Sequence, residues 1–381
     1  MRKLSIVAFV ILSLSLGFLL FYKKTSVKKP PSEFFPGAKL SLDNKKAKET
    51  DLKSNKDIKV IAENLKIPWE IVFLPDKRIL ITERPGTVKI LTPKGDDLEY
   101  KVDEVYHYGE GGLLGAAVHP DFEKNNFIYL YLTYRKNNEI LNKVVRYRLE
   151  NNRLNQDKII IDNIKGAIFH DGGRIEFGPD GYLYITTGDA TQPELSQDPS
   201  NLNGKILRLS DEGDIPPDNP FGNPVYSYGH RNPQGLAWDS SGQLWITEHG
   251  PSGALSGFDE VNKILPGENY GWPDIIGDKS KEGMRKPFVH SGAEETWAPA
   301  GAVFYKDYLI FAGLRGSSLY RLDIKTKEIK PFFKDKFGRL RAVVMGPDGY
   351  LYISTSNTDG RGKARKGDDK IIRINPKLLE D

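Results

Sequence analysis

The chain contains no cysteine, which removes disulfide, zinc–thiolate and cysteine-nucleophile chemistry together. It also lacks a strong charge of either sign. Its 55 basic and 51 acidic residues leave a net +4, too mild to argue for a nucleic-acid partner. No G-x-S-x-G setting appears, so a serine triad has no anchor. No phosphate-cradling glycine loop or dinucleotide fingerprint stands out either. What is present is a globular composition, 39% hydrophobic and 11% aromatic over 381 residues, with 37 Gly and 24 Pro to serve many turns.

Residues 4–22 carry no charge and lie between the basic pairs Arg2, Lys3 and Lys23, Lys24. That is about the length a helix needs to span a bilayer. No small-x-small cleavage site follows, so 1–22 reads as a signal anchor in preference to a cleaved signal peptide. Export then places the remainder outside the cytoplasm, membrane-anchored or else secreted or periplasmic. Residues 23–56, rich in Lys, Pro, Ser, Asn and Asp, read as a flexible tether. Residues 57–381 read as one domain.

Within that domain a pattern recurs six times: an apolar segment, a turn of the Pro-Asp or Asp/Lys-Gly type, then an alternating aromatic/aliphatic strand. The copies are 69–83, 114–133, 173–187, 234–248, 300–312 and 341–355. Each is a hairpin, with Pro-Asp-Gly supplying the turn. The turns recur at intervals of roughly 40 to 70 residues, room for two further strands apiece, as a propeller blade requires. The expected fold is all-β, a six-bladed β-propeller of four-stranded antiparallel blades. Such a ring must close, and Ile58–Ala62 with 370–374 are suitable strands at opposite ends of the domain.

Function in a propeller gathers on the loops at one channel mouth. Before the third hairpin stands Phe169-His170-Asp171-Gly172-Gly173-Arg174. An imidazole beside glycines lets a ligand approach closely and can accept a proton near neutral pH. Before the fourth, Arg231 and Asn232 offer a fixed charge and an amide suited to carboxylates and carbonyls. Before the sixth, Arg339 and Arg341 are two apart, one face of a strand. Two cations there call for an anion between them, or else form a solvated edge pair. Glu110 and Asp189 sit beside glycines, and 248–251 exposes carbonyls in a tight turn, oxygen-rich settings of the kind calcium uses. Together these describe a pocket for a multiply anionic, oxygen-bearing small molecule with a hard cation.

The motifs Gly-Glu-Gly-Gly-Leu-Leu (109–114), His-Asp-Gly-Gly-Arg (170–174), Gly-His-Arg-Asn-Pro-Gln-Gly (229–235), Glu-His-Gly-Pro (248–251), Asp-Glu-Val-Asn (259–262) and Asn-Tyr-Gly-Trp-Pro (269–273) resemble the glucose/sorbosone dehydrogenase family of quinoprotein sugar dehydrogenases. The likeness extends over about 58–376. It implies a six-bladed propeller that binds pyrroloquinoline quinone (PQQ) with calcium, oxidises aldose sugars to lactones and passes electrons to an external acceptor. His170 would be the general base, Asp189 would orient it, and Arg231 would polarise the quinone oxygen. Glu110, His170, Asp189, Arg231, Asn232, Arg315, Arg339 and Arg341 would contact the cofactor. Carbonyls of Gly250 and Pro251 would hold the catalytic calcium, and Glu260 and Tyr270 match positions of a second calcium.

Three departures accompany the likeness. Glu110 stands where Gln is frequent, adding a negative charge that a basic neighbour or calcium must offset. Arg315 replaces a usual Lys, which keeps the charge and changes its geometry. Ser356 or Asn357 falls where an Asp is expected, and the second cofactor glutamine is Gln192 or missing. A cofactor-free propeller binding sugar or protein at the cell surface is the competing expectation. A calcium-dependent lactone hydrolase would need a cage of carboxylates that the sequence does not assemble.

Overall fold

The computed structural model describes residues 56–251 and 256–380. The signal-anchor segment 1–22 and nearly all of the 23–56 tether lie outside the described residues. Among the described residues no helix is long and apolar enough to cross a membrane.

The Pro-Asp-Gly turns form as their residue types dictate. In the third hairpin Gly181 adopts φ +81°, a left-handed conformation that favours glycine, and its amide donates to the Gly178 carbonyl at 2.9 Å. Asp180 then accepts the Tyr182 amide at 3.2 Å. The last hairpin repeats this with Gly349 at φ +74°. The second departs from the tight turn, inserting the short helix Phe122–Asn125 between its strands.

The sheets are six, each of four antiparallel strands, so the six-bladed propeller expected from the repeats is the observed fold. In chain order the blades span 68–101, 113–165, 175–228, 233–290, 299–332 and 340–374. The sixth stretch supplies only three strands. Its fourth is Ile58–Ala62 from the other end of the domain, antiparallel to Ile371–Ile374, with Ile58 opposite Ile374 and Val60 opposite Ile372. The ring is thus closed by the two strands that the sequence singled out.

The first strands of the blades, Pro68–Phe73, Leu113–Val118, Ile175–Phe177, Pro233–Trp238, Pro299–Tyr305 and Leu340–Met345, pack around the central channel. Five of them shift register near their start, at Pro68/Glu70, Leu113/Ala116, Pro233/Gly235, Pro299/Ala302 and Leu340/Val343. A bulge leaves a main-chain amide without a ladder partner. In blade one Thr82 fills the gap: its hydroxyl accepts from the Glu70 amide at 3.1 Å and donates to the Leu114 carbonyl of the next blade at 2.5 Å. Ser354 does the same between Ala342 and Pro68, at 3.0 and 3.3 Å. Thr247 reaches the Ala300 carbonyl at 2.6 Å. The recurring Ile-Thr and Ile-Ser of the hairpins is therefore a latch between blades.

Apolar side chains fill the spaces between neighbouring blades. Leu80, Val88 and Ile90 of the first blade meet Leu113, Ile128 and Leu130 of the second. Ile310 and Leu319 meet Ile353 and Ile372 at the closing blade. Ile372 is 2% exposed and lies against the N-terminal strand. Replacing it by alanine should remove about 2–5 kcal/mol of stability, read as a lower denaturant midpoint. An unchanged midpoint would mean that the closing seam carries no load.

Candidate active site

Residues just ahead of the first strands of several blades gather at one mouth of the channel. Glu110, Phe169, His170, Arg231, His249, Gly250, Pro251, Asp259, Arg315, Arg339 and Arg361 line a cavity there of about 470 Å³. A larger cavity, about 560 Å³, opens at the opposite ends of the same strands and is walled by Ile71, Phe73, Phe177, Leu236 and Val344. Its lining is apolar apart from Glu70, Lys77, Arg174 and Glu176, and His170, Arg231 and Arg339 lie on the first cavity.

His170 sits with φ +66°, unusual for a residue with a side chain. The conformation is fixed from both sides. Its amide donates to Glu110 Oε2 at 3.0 Å, and its Nδ1 lies 2.7 Å from Asp189 Oδ1. Asp189 is fully buried and is itself aligned by the Thr191 amide at 2.8 Å and Trp272 Nε1 at 2.9 Å. A buried carboxylate on Nδ1 makes that nitrogen the proton carrier and leaves Nε2 as the basic atom. The next residue, Asp171, is buried against Asn142 Nδ2 at 3.0 Å. Burial, reinforced by the charge of Glu110, pushes its carboxyl up to about 7 despite that bond.

Arg231 and Asn232 come from the loop before the fourth blade. The Arg231 amide is held by Glu248 Oε2 at 2.9 Å, and its guanidinium lies over the Trp272 ring, 5.3 Å from the centroid. Burial lowers its affinity for its proton, opposed by Asp189 and Glu110. Asn232 Oδ1 accepts from the Gly172 amide at 3.0 Å, which turns Nδ2 the other way. That Nδ2 is buried and has no hydrogen-bond partner among the described residues.

The charge of Glu110 is offset by a basic neighbour. Arg361 Nη1 stands 2.7 Å from Glu110 Oε1. Burial raises the carboxyl, but His249, the His170 amide and Arg361 outweigh it and hold it well below the usual carboxylate range. His249 is pushed down to about 4 by burial, so at neutral pH Arg361 and the amide carry that task.

Arg339 and Arg341 have different hydrogen-bond partners. The strand begins at Leu340 and bulges before Val343, which breaks the strict alternation a flat strand would impose. Arg339 lines the cavity and pairs through Nε and Nη2 with Asp359 Oδ2, at 3.0 and 2.9 Å. Arg341 points into the channel, bonded to Gln234 Oε1 at 2.8 Å and 5.6 Å from the Trp69 ring centroid. Burial, with the charge of Arg84 added, pushes it down to about 9. Its Nε has no partner among the described residues.

Arg315 lines the cavity and donates to Ser256 Oγ at 2.9 Å. Gln192 does not line it; its amide is exposed and meets Lys165 Nζ at 3.4 Å. Ser356 Oγ donates to Asp359 at 3.1 Å, and Asn357 accepts the Arg339 amide at 2.9 Å. A carboxylate does stand near 356–357: Asp359, a few residues later, holds both Arg339 and Ser356.

Gly250 and Pro251 line the cavity, with the Gly250 amide on Asp259 Oδ1 at 2.9 Å. Glu260 shares Asn262 Nδ2 with Glu248, and burial together with Glu248 raises its carboxyl. The Tyr270 hydroxyl serves the Lys263 carbonyl and the Leu265 amide, while its ring stacks on His230. No hydrogen bond joins Glu260 and Tyr270 among the described residues. Among the described residues there is no group of three or more His, Asp or Glu placed to hold a metal ion.

Asp359, Arg361 and Trp272 hold candidate residues in place, through Arg339, Glu110 and Asp189, and Arg84 adds its charge at Arg341. Trp272 lies within the Asn-Tyr-Gly-Trp-Pro motif; the others carry no local signal in the sequence.

A family model described as Glucose / Sorbosone dehydrogenase matches residues 65–372. The aldose sugar dehydrogenase YliI of Escherichia coli (strain K12) is 32% identical over 366 residues, spanning 84% of this chain and 93% of that one. Quinoprotein glucose dehydrogenase B of Acinetobacter calcoaceticus is 35% identical over 265 residues, 60% of this chain and 55% of that one. The solved PQQ-bound form of an aldose sugar dehydrogenase from Streptomyces coelicolor is 38% identical, covers 84% of this chain and 97% of its own, and superposes with a TM-score of 0.77.

Proposed function

Since the chain belongs to the glucose/sorbosone dehydrogenase family, we propose that it oxidises an aldose at the anomeric carbon to a lactone, with PQQ as hydride acceptor and calcium beside it. The observation that carries this reading is the Asp189–His170 pair facing a cavity ringed by Arg231, Arg315, Arg339 and Arg361.

The residues present fit the cofactor. Four guanidiniums against the lining carboxylates of Glu110 and Asp259 suit a flat molecule with several carboxylates. The buried Nδ2 of Asn232, without a partner among the described residues, suits a carbonyl or carboxylate oxygen, because leaving such a donor unpaired costs about 1–3 kcal/mol. Arg339, Arg315 and Asn232 would hold the quinone. Arg231, kept in place by Glu248 and Trp272, would face its reactive oxygen. The carbonyls of Gly250 and Pro251 would hold the calcium. Bound there, PQQ supplies an electron-poor carbon that takes a hydride.

His170 does the proton work. With Nδ1–H donated to Asp189, Nε2 can accept the proton of the sugar's anomeric hydroxyl as the C–H bond breaks. Asp189 stabilises the resulting imidazolium and fixes its tautomer. Electrons leave for a separate acceptor. The uncharged stretch 4–22 supports action outside the cytoplasm.

Reconstitution tests the proposal. Purified protein should reduce a dye with glucose only after PQQ and calcium are added. Asn232→Ala should raise the quinone concentration needed for half-activity about tenfold, the effect of losing one buried hydrogen bond. Dye reduction without added quinone would remove PQQ from the reading, and no dye reduction with it would favour the cofactor-free sugar- or protein-binding propeller.

A further inference from the structure

The channel has a second mouth. The cavity there, about 560 Å³, shares no lining residue with the candidate active site and has the size of a small-molecule site. Phe73, Phe177, Leu236, Val344 and Met345 give it an apolar wall. Four ionisable side chains line it as well. Glu70 and Arg174 are buried and paired with each other, so their charges offset. Lys77 is exposed in the turn between the first two strands of blade one. Glu176 is the fourth. Ile175 and Phe177 on either side of it pack into the core between blades two and three, and alternation turns Glu176 to the opposite face of the strand. It is exposed, and among the described residues no hydrogen bond or ion pair reaches its carboxyl.

An open carboxyl among apolar side chains does nothing for the fold. The walls press on it: burial, with Glu70 adding to it and Arg174 opposing, pushes it up to about 8. Beyond Glu70, Arg174 and the exposed Lys77, no charged side chain faces it. The first strands of the other four blades bring only apolar residues to this cavity. A cation settling beside the carboxyl favours its charged form. An inorganic cation would keep its water and gain nothing from the apolar wall. An organic ammonium carries the counter-charge on a body that the wall can take out of water, and its charge is also attracted to the faces of aromatic rings.

We propose that this second mouth binds a small organic ammonium ion, with its charge against Glu176 and its apolar body against Phe73, Phe177 and Met345. The site stands apart from the dehydrogenase chemistry and does not depend on it. On binding, the ammonium keeps its protons and the Glu176 carboxyl releases its own to solvent. Affinity should therefore rise as pH climbs from about 6 to about 8, where an alkylammonium stays charged.

Calorimetric titration of the full-length protein with phenethylammonium chloride tests this. Phenethyl alcohol supplies the same body without charge, and hydrocinnamate a similar body with the opposite charge. Near pH 8 the ammonium should bind one to one and about tenfold or more tighter than the alcohol, the effect of one hydrogen bond to a charged group. Glu176→Gln should bring the ammonium down to the affinity of the alcohol. Glu176→Asp should keep most of the preference, which separates the charge from any change in the shape of the cavity. Equal affinities for ammonium and alcohol in wild type, or a preference that survives Glu176→Gln, would overturn the site. Tighter binding of hydrocinnamate, a wild-type affinity that is flat or falls as pH rises, or no ammonium binding at about 10 mM would overturn it too.

Discussion

His170→Asn should lower kcat for glucose oxidation by about 10²- to 10⁴-fold, the range expected when a positioned general base is lost. Asparagine is the informative replacement because the position has φ +66°, and asparagine tolerates that conformation better than alanine. It also keeps the main-chain amide on Glu110. Quinone affinity, measured by titrating the cofactor's absorbance, should change little, since the proposed cofactor contacts of Arg231, Asn232 and Arg339 are untouched. A variant that keeps kcat within a few-fold of wild type would remove His170 from the proton transfer. A variant that loses quinone binding in proportion would make it a binding residue.

The second large effect concerns stability. Arg174 and Glu70 form an ion pair inside the channel, both about 4% exposed. Arg174 Nε also donates to the Gln234 carbonyl at 2.9 Å, and its guanidinium lies over Trp69, 4.2 Å from the ring centroid. Breaking such a pair from one side leaves a buried charge uncompensated, so Arg174→Met should cost about 3–5 kcal/mol at pH 7. Glu70→Gln together with Arg174→Met should cost less than Arg174→Met alone, because no charge is stranded. Burial already holds the Glu70 carboxyl above its ordinary 4.5, with Arg174 pulling the other way. Removing Arg174 raises it further. The folded form then retains a proton that the unfolded chain has lost, so stability falls as pH rises through that window. The defect should therefore be largest at neutral pH and shrink as pH approaches 4.5. Urea midpoints for the three proteins across this range are the measurement. A defect that grows on acidification would contradict the buried-carboxylate account.

The blades were readable in the chain because their signals are local. Pro-Asp-Gly and strict alternation each act within a few residues, and six copies averaged out the weak one at 300–312. His170, Arg231 and Asn232 were readable for a related reason: each stands within two residues of a glycine or proline just ahead of a hairpin. Arg361 was not, because its partner Glu110 is 251 positions away and only ring closure brings them together. Asp359 was hidden by two residues of loop. Arg341 bonds Gln234 Oε1, 107 positions away, and lies beside the bulge at 340–343, neither of which the spacing from Arg339 predicts. Bulges are set by the fit between blades, which no window of sequence contains.

Among the described residues the strand Ile58–Ala62 has its only sheet partner in Ile371–Ile374. On a ribosome the first emerges on the order of tens of seconds before the second, at ordinary elongation rates. Throughout that interval it must wait as a bare edge, open to pairing with another nascent chain. The alternation of Lys59 with Ile58 and Val60 puts a charge on that waiting edge. The ring can thus close only once Ile371–Ile374 has been made, and a chain that stops short of that strand forfeits the seam between the first and last strands of the ring.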